Sequence, residues 1–364
     1  MKQTLRDFLC PQPKSKIKAG DGQLKGAYNF YTSSQIQSKF YHSATYTQPA
    51  LIFGTGGMAS VHYCNEPFST STDCLVMYGR LGAPLELIYY YLRSNMHLLQ
   101  DGFKGAGLQH ISKDYILNIN INMPAPSLQE QITHQMRLID AMINGKKQQI
   151  LSFDEAVKSR FIELFGVYPS NPKGWETATI RDIVADVRYG SSRPAVDGGK
   201  YPYLRMNNIT YGGELDLTDT KRIDIPDNEL DKCTVRRGDV LFNRTNSKEL
   251  VGKTCVYNRD EMMVLAGFVI RVRVTERVLP EFLSAFLNTH FSKQMLLGMC
   301  KAAIGQANIN AQEMQNIGIY LPPTELQRQF VQFKEQTDKS KLAVQKGLQE
   351  LEILKKSLMQ QYFG

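Results

Sequence analysis

From Ile132 to Leu164, apolar residues recur at steps of mostly three and four: Ile132, Met136, Ile139, Ile143, Ile150, Phe153, Val157, Phe161 and Leu164. That spacing keeps a stripe on one face of an α-helix, and its length gives it a heptad-like character. PAPSLQEQ introduces the run, with Ser127 and Glu130 as a capping-box signature, and Gly166 stops it ahead of NPKGW. A second stripe follows PPTELQRQ, with Thr324 as cap: Leu326, Phe330, Phe333, Val344, Leu348, Leu351, Leu358 and Tyr362. Each pattern covers roughly 37 residues, or about 55 Å of helix, too long for the interior of a small domain. An antiparallel coiled coil between globular parts fits that length; a pair of core helices is the alternative.

Elsewhere the period falls to two. ALIFG, DCLVMYG, DVLFN, KTCVYN and AGFVIRVRV are β-branched or aromatic runs bounded by Gly, Asn and Asp, the pattern of short strands. LELIYYYLRS and PEFLSAFLNTHFSKQMLLGM read as helices. The fold class expected is α+β.

The two long stripes belong to a larger repeat. Shifted by 198 positions, residues 107 to 166 match residues 305 to 364 without a gap, with fourteen identities in sixty positions. They include Lys158, Ser159, Phe165 and Gly166, which return as Lys356, Ser357, Phe363 and Gly364. Upstream, with gaps, TLRDF matches TIRDI, YNFYT matches YPYLR and LIFGTGG matches VLFNRTN. The chain therefore reads as one unit written twice, with longer loops in the second copy: a globular part at 1–123, a helix and linker at 124–172, a second globular part at 173–321 and a second helix at 322–364. A period this long is a two-fold pseudo-repeat rather than a solenoid.

At 364 residues the chain suits two or three domains. The net charge of +8 permits a polyanionic partner. Divided among the four segments it is +4, 0, +2 and +2, so a DNA-binding face must be local. Six scattered cysteines form no C-x-x-C pair, and no apolar run approaches membrane length, so a reduced, soluble, cytoplasmic protein is expected.

Catalytic motifs fail one by one. SKELVGKT nearly spells a phosphate loop, but Ser247 stands where a glycine is required and a strand-like TCVYN follows. No H-E-x-x-H occurs, nor the Asn/Asp-Pro-Pro-aromatic signature of amino-methyltransferases. A non-enzyme with no cofactor or metal of its own is expected.

What stands out is loop chemistry suited to nucleic acid. Lys and Arg neutralise phosphates, Ser fixes register, and Arg and Asn read guanine and adenine edges bidentately. In the second copy RYGSSRPAVDGGK offers Arg188, Ser191, Ser192, Arg193 and Lys200. RMNN offers Arg205, Asn207 and Asn208, NRTNSK offers Arg244, Asn246 and Lys248, and KAAIGQAN offers Lys301. The matching loops of the first copy are PKSKIK with Lys14 and Lys16, YTSSQ with Ser33 and Ser34, GTGGMAS with Thr55, and KGAGLQH with Lys104. A solvated turn is the alternative for any one loop; their recurrence in both copies favours a shared role.

The doubled order of [LI]-R-D-[FI], a polar loop, G-x-x-[QH]-x-I, P-x-x-x-L-Q-x-Q, a long helix, K-S and F-G resembles the specificity subunit of type I restriction–modification enzymes. GWETATIRDI opens the second unit and VKSRFIELFG closes the first helix; the first unit opens without the Gly-Trp pair. The resemblance implies two target-recognition domains, each reading one half of a split site in duplex DNA. It implies two long helices that space them and dock two methyltransferase subunits, here through Ile132, Ile139, Ile143, Phe161, Phe330, Leu348, Leu351 and Leu358. S-adenosylmethionine would sit on the methyltransferase subunits, and ATP and Mg on restriction/motor subunits reached through them. A coiled-coil protein-binding scaffold without DNA recognition is the alternative.

Overall fold

The computed structural model describes residues 3–107, 109–300 and 307–364, and the chain divides into two compact units. One comprises residues 1–148 and 344–364, the other residues 149–343. Both boundaries fall inside the long helices, Pro126–Phe165 and Thr324–Phe363, of 40 residues each. Each unit thus holds one globular part, half of one helix and the opposite half of the other.

In the first unit, a four-stranded antiparallel sheet runs in the spatial order Leu9–Pro11, Cys74–Gly79, Ala50–Gly54 and Ser60–Cys64. Ala50–Gly54 is buried along its whole length, which accounts for its unbroken apolar reading as ALIFG. A smaller sheet orders Lys39–Tyr41, Tyr28–Tyr31 and Phe68–Thr70, the last pair parallel. The helix Leu85–Ser94 covers the larger sheet, and the core between them takes in Ile132 and Met136 from the first long helix and Phe363 from the second. Here the helices run antiparallel: Tyr362 meets Gln135, Lys355 meets Asp140 and Lys147 meets Glu352.

The second unit repeats this plan. Its main sheet has the order Val184–Tyr189, Val269–Val274, Val240–Asn243 and Thr254–Val256, again antiparallel. Tyr201–Leu204 and Met263–Leu265 pair in parallel as Tyr28–Tyr31 and Phe68–Thr70 do, with an added strand Thr234–Val235 and an added helix Asp227–Cys233. The longer loops of the second copy account for these additions. Phe161 and Phe165 of the first long helix close its core, packed on Phe282 and on Phe330 of the second long helix. The helices are antiparallel here too, with Lys341 against Asp154.

Bonds repeat with the sequence. Thr4 and Asp7 cap the first LRDF turn as Thr179 and Asp182 cap IRDI. Arg6 donates to Asn118 as Arg181 does to Asn316, and the Gln129 amide donates to the Pro124 carbonyl as Gln327 does to Pro322. The repeated Phe-Gly ending now has a physical reason. Phe363 packs edge-on against Tyr91 at 6.0 Å, and Phe165 against Phe282 at 4.9 Å. Each copy's helix ends by closing the globular core of the other copy.

Candidate nucleic-acid interface

The same strand-end arrangement is built in both units. In the first, the chain leaves Ala50–Gly54, and the Ile111 amide donates to the Thr55 carbonyl at 3.2 Å, bringing residues 109–113 alongside. In the second, the Ile309 amide donates to the Arg244 carbonyl at 2.9 Å. Gly56 bridges His110 as Thr245 pairs with Asn308. Residues 55–56 and 244–245 therefore meet residues 110–111 and 308–309 at equivalent places, through equivalent backbone bonds.

In the first unit a cleft of about 690 Å³ opens there, lined by Gln12, Lys14, Thr55, His110, Ser112 and Lys113 among others. Lys14, Lys16 and Lys104 are exposed, and Lys104 exchanges backbone bonds with His110. Ser34 is exposed. Ser33 and Thr55 face inward: both hydroxyls donate to the Asp73 carbonyl, at 2.8 and 2.9 Å, and Thr55 is buried. They tie loops together and have no free donor for a phosphate. His110 and Lys113, the latter opening the helix Lys113–Leu117, escaped the sequence reading, since a single His or Lys carries no pattern.

In the second unit the cations sort by their partners. Arg188 is paired with Asp186, Arg193 is bidentate to Glu229, and Arg205 donates to Asp219. Lys200 is exposed over the Tyr201 ring, and Asn207, Ser192 and Lys248 are exposed. Arg244 differs: its guanidinium stacks 4.9 Å from the Tyr189 ring centre, and among the described residues no carboxylate pairs with it. Its Nε is buried, with no partner among the described residues. Tyr189 accepts the Ala311 amide on its hydroxyl, which fixes the ring under the arginine. A cation on an aromatic face keeps its in-plane donors free for an acceptor such as a base edge or phosphate.

Three residues of this set are turned inward. Asn208 is 2% exposed; its amide donates to the Asp216 and Asp219 carbonyls and its oxygen accepts the Arg205 amide, so no capacity is left for a base. Ser191 is buried, and its Oγ accepts the Arg193 amide. The Asn246 side chain is bonded to Asn243 and to the Ser247 amide. Short polar side chains hold turns as readily as they contact ligands, and sequence alone does not separate the two. Lys301 lies outside the described residues.

The helix stripes also need correction. Ile132, Ile139, Ile143, Phe161 and Phe330 are buried within the chain, and Leu348, Leu351 and Leu358 are half-buried. Ile132 and Leu358 pack in the first core and Phe161 and Phe330 in the second, so these four serve the chain's own interior. The exposed apolar residues of the helices are others: Leu128, Leu138, Met142, Ile353 and Leu354 in the first unit, Leu151, Ile162 and Leu342 in the second.

SKELVGKT forms no phosphate cradle. Lys253 is buried and donates to the Met206 carbonyl, and Thr254–Val256 is a strand. Beside it, burial and the neighbouring Lys253 push the Lys293 ammonium down to about 8. Among the described residues no cluster of His, Cys, Asp or Glu could hold a metal ion, and no helix is long and apolar enough to cross a membrane.

Comparison with known proteins agrees with this doubled plan. The chain is 27% identical over 196 residues to a putative type I restriction enzyme specificity subunit, MjaX, of Methanocaldococcus jannaschii, covering 53% of this chain and 46% of the relative. It is 24% identical over 234 residues to the EcoKI specificity subunit of Escherichia coli, covering 59% and 50%. The chain thus spans about half the length of the curated relatives it matches. Among solved structures, the S subunit of a type I restriction–modification system from M. genitalium superposes with a TM-score of 0.62 at 14% identity, over 100% of this chain and 96% of that one. A chain from a type I R-M system superposes with a TM-score of 0.51 at 16% identity, over 100% and 97%. The profile of the type I restriction modification DNA specificity domain matches residues 3–152 and again 172–353, the two copies found by shifting the chain on itself. The chain belongs to the family of type I restriction–modification DNA specificity subunits.

Proposed function

We propose that this chain reads a bipartite target in duplex DNA, one half-site per unit, as the non-catalytic specificity subunit of a type I complex. One observation carries the reading: a strand end built twice on matching backbone bonds and furnished differently, with a cleft holding Lys14, His110 and Lys113 in one copy and Arg244 over Tyr189 in the other. A shared scaffold with different side chains suits two unlike half-sites.

Two methyltransferase subunits dock on the helices, through outward apolar residues such as Leu138, Met142 and Ile353, and restriction/motor subunits assemble through them in the cytoplasm. S-adenosylmethionine, ATP and Mg are held by those partners. Family membership and the absence of any catalytic motif from the sequence support this division of labour.

The test is to map methylated adenines in the genome of a host carrying this gene with its methyltransferase partner. A split motif that disappears when the gene is deleted is expected. Methyl transfer by the isolated chain, or an assembled complex that binds duplex DNA without sequence preference, overturns the proposal. A chain that captures methyltransferase but no duplex would identify a scaffold.

A further inference from the structure

In the second unit, residues 208–216 form a small hairpin that follows Arg205 and Asn207. The Asp216 amide donates to the Asn208 carbonyl at 2.8 Å, and the Thr210 amide to the Glu214 carbonyl at 2.9 Å. At its base, Asn208 accepts the Arg205 amide and holds the Asp219 carbonyl, while Arg205 reaches the Asp219 carboxylate at 2.9 Å. Its position and that of Arg205 are therefore mechanically linked. At its tip, Gly213 has φ +84° and sits so close to Asn288 that any Cβ would collide with it.

Glu214 leaves this hairpin for the helix pair. The Lys341 ammonium, on the second long helix, donates to Glu214 Oε1 at 2.7 Å and to Asp154 Oδ1 of the first long helix at 2.6 Å. Lys341 is 8% exposed. Burial by itself would lower its pKa, but the bonds to Asp154 and Glu214 outweigh that and raise it, so the ion stays charged. The first unit joins its elements differently: Lys355 of the second long helix bonds Asp140 of the first, which also accepts from Tyr90 of the globular part, while 198 positions before Lys341 stands Ile143, buried and apolar. A buried lysine is a poor way to stabilise a helix seam, because apolar residues of similar volume do as well or better. Its distinctive contribution is to fix one geometry, here joining three elements at one atom.

We propose that Lys341 is a positioning residue for sequence reading by the second unit: with Glu214 it locks the 208–216 hairpin, and through it Arg205 and Asn207, onto the helix pair. The DNA side of this rests on the function proposed above; the lock itself does not. Altered bonding at the hub shifts the reading loop, so the helices tune recognition without touching DNA.

The test uses the full chain with Lys341→Met and, separately, Glu214→Gln, whose side chain lies on the half-exposed side of the hub and leaves the helix seam intact. Hydrogen exchange without DNA is read first. The amides of Thr210 and Asp216 should exchange at least about tenfold faster in both variants, since charge-assisted bonds that hold them are lost, while those of Val240–Asn243 stay unchanged. Unchanged hairpin exchange in Glu214→Gln overturns the lock. Binding by the assembled complex to its selected duplex is read second. Discrimination should fall at one half-site only; a loss at both half-sites, or at neither, overturns the positioning role. A wild-type complex that selects no duplex overturns the functional reading instead, and the exchange result then judges the lock alone.

Discussion

Arg193 and Arg244 are both arginines on loops beside the main sheet of the second unit, yet they are prepared for different tasks. Arg193 already makes two bonds to Glu229, and Arg244 lies on Tyr189 with no carboxylate partner among the described residues. Arg244→Ala should therefore cost about 1–3 kcal/mol in binding, confined to one half-site, whereas Arg193→Ala should cost less and equally across sequences. Selection of sites from a randomised duplex library with each variant complex checks both. Tyr189→Leu should weaken the same half-site as Arg244→Ala, since it removes the ring that holds the guanidinium. Lys293 gives a pH prediction. Its folded pKa is depressed to about 8, so between that value and its unfolded value near 10.5 the unfolded chain binds more protons than the folded one. The cost of burying the charged amine is present in full below pH 8 and is relieved as pH rises. The stability difference between wild type and Lys293→Met should thus move in favour of wild type from pH 7.5 to 9.5, measured by denaturant unfolding. Keeping below pH 10 avoids Tyr203 and Tyr320, whose pKa values burial raises and whose effect has the opposite sign.

At the scale of elements, the two long helices serve as closing pieces for the cores. Phe363 is 5% exposed and Phe165 is fully buried. Phe165→Ala should cost about 3–5 kcal/mol in the second unit, and Phe363→Ala a similar amount in the first, because each leaves a cavity among packed aromatics. Thermal unfolding of each variant, followed by exchange at core amides of either unit, shows which unit yields. The helices are also paired in register within each unit, through Asp140 and Lys355 in one and Asp154 and Lys341 in the other. Four residues added after Gln148 in one helix and four after Ala343 in the other keep both pairings. Under the proposed function such a change adds about 6 Å of helix. It should lengthen the preferred spacer by one or two base pairs of ~3.4 Å while leaving the half-site sequences alone. An unchanged spacer in a complex that still binds would show that the helices are not the ruler.

At the scale of the molecule, chain order and structural unit part company. The core of the first unit includes Phe363, with Leu358, Met359 and Tyr362 packed against it, all from the last segment of the sequence. Deleting residues 344–364 should therefore lower the unfolding temperature of the unit that contains the N-terminal sequence. The second unit, complete within residues 149–343, should keep its own transition. Calorimetry of the whole and shortened chains, with exchange to assign the transitions, decides this. Loss of the second unit's transition instead would show that the division at Gln148 and Ala343 is not a division of stability.

Local pattern sufficed for much of this. The three-and-four stripes fixed two long helices, the alternating runs fixed the main strands, and the shift of 198 found the duplication, because all three depend on residues near in sequence or on direct comparison of copies. It also matched the strand ends at Thr55 and Arg244, which take equivalent backbone bonds in the two units. What depended on distant partners was closed to it. The pairing of Arg193 with Glu229 and of Arg205 with Asp219, against the free face of Arg244, is settled by which carboxylate the fold carries nearby. So is the inward turn of Thr55, Ser191 and Asn208, whose side chains could equally have met a ligand. A stripe shows that a helix has an apolar face but not what covers it, and here the chain's own cores cover Ile132, Phe161, Phe330 and Leu358, four of the residues assigned to partner docking. Only the tertiary structure decided that one copy's Phe-Gly ending seals the other copy's core and that Lys341 ties the 208–216 hairpin to both helices. Burial and ion pairing are properties of neighbours in space, and periodicity carries no information about those.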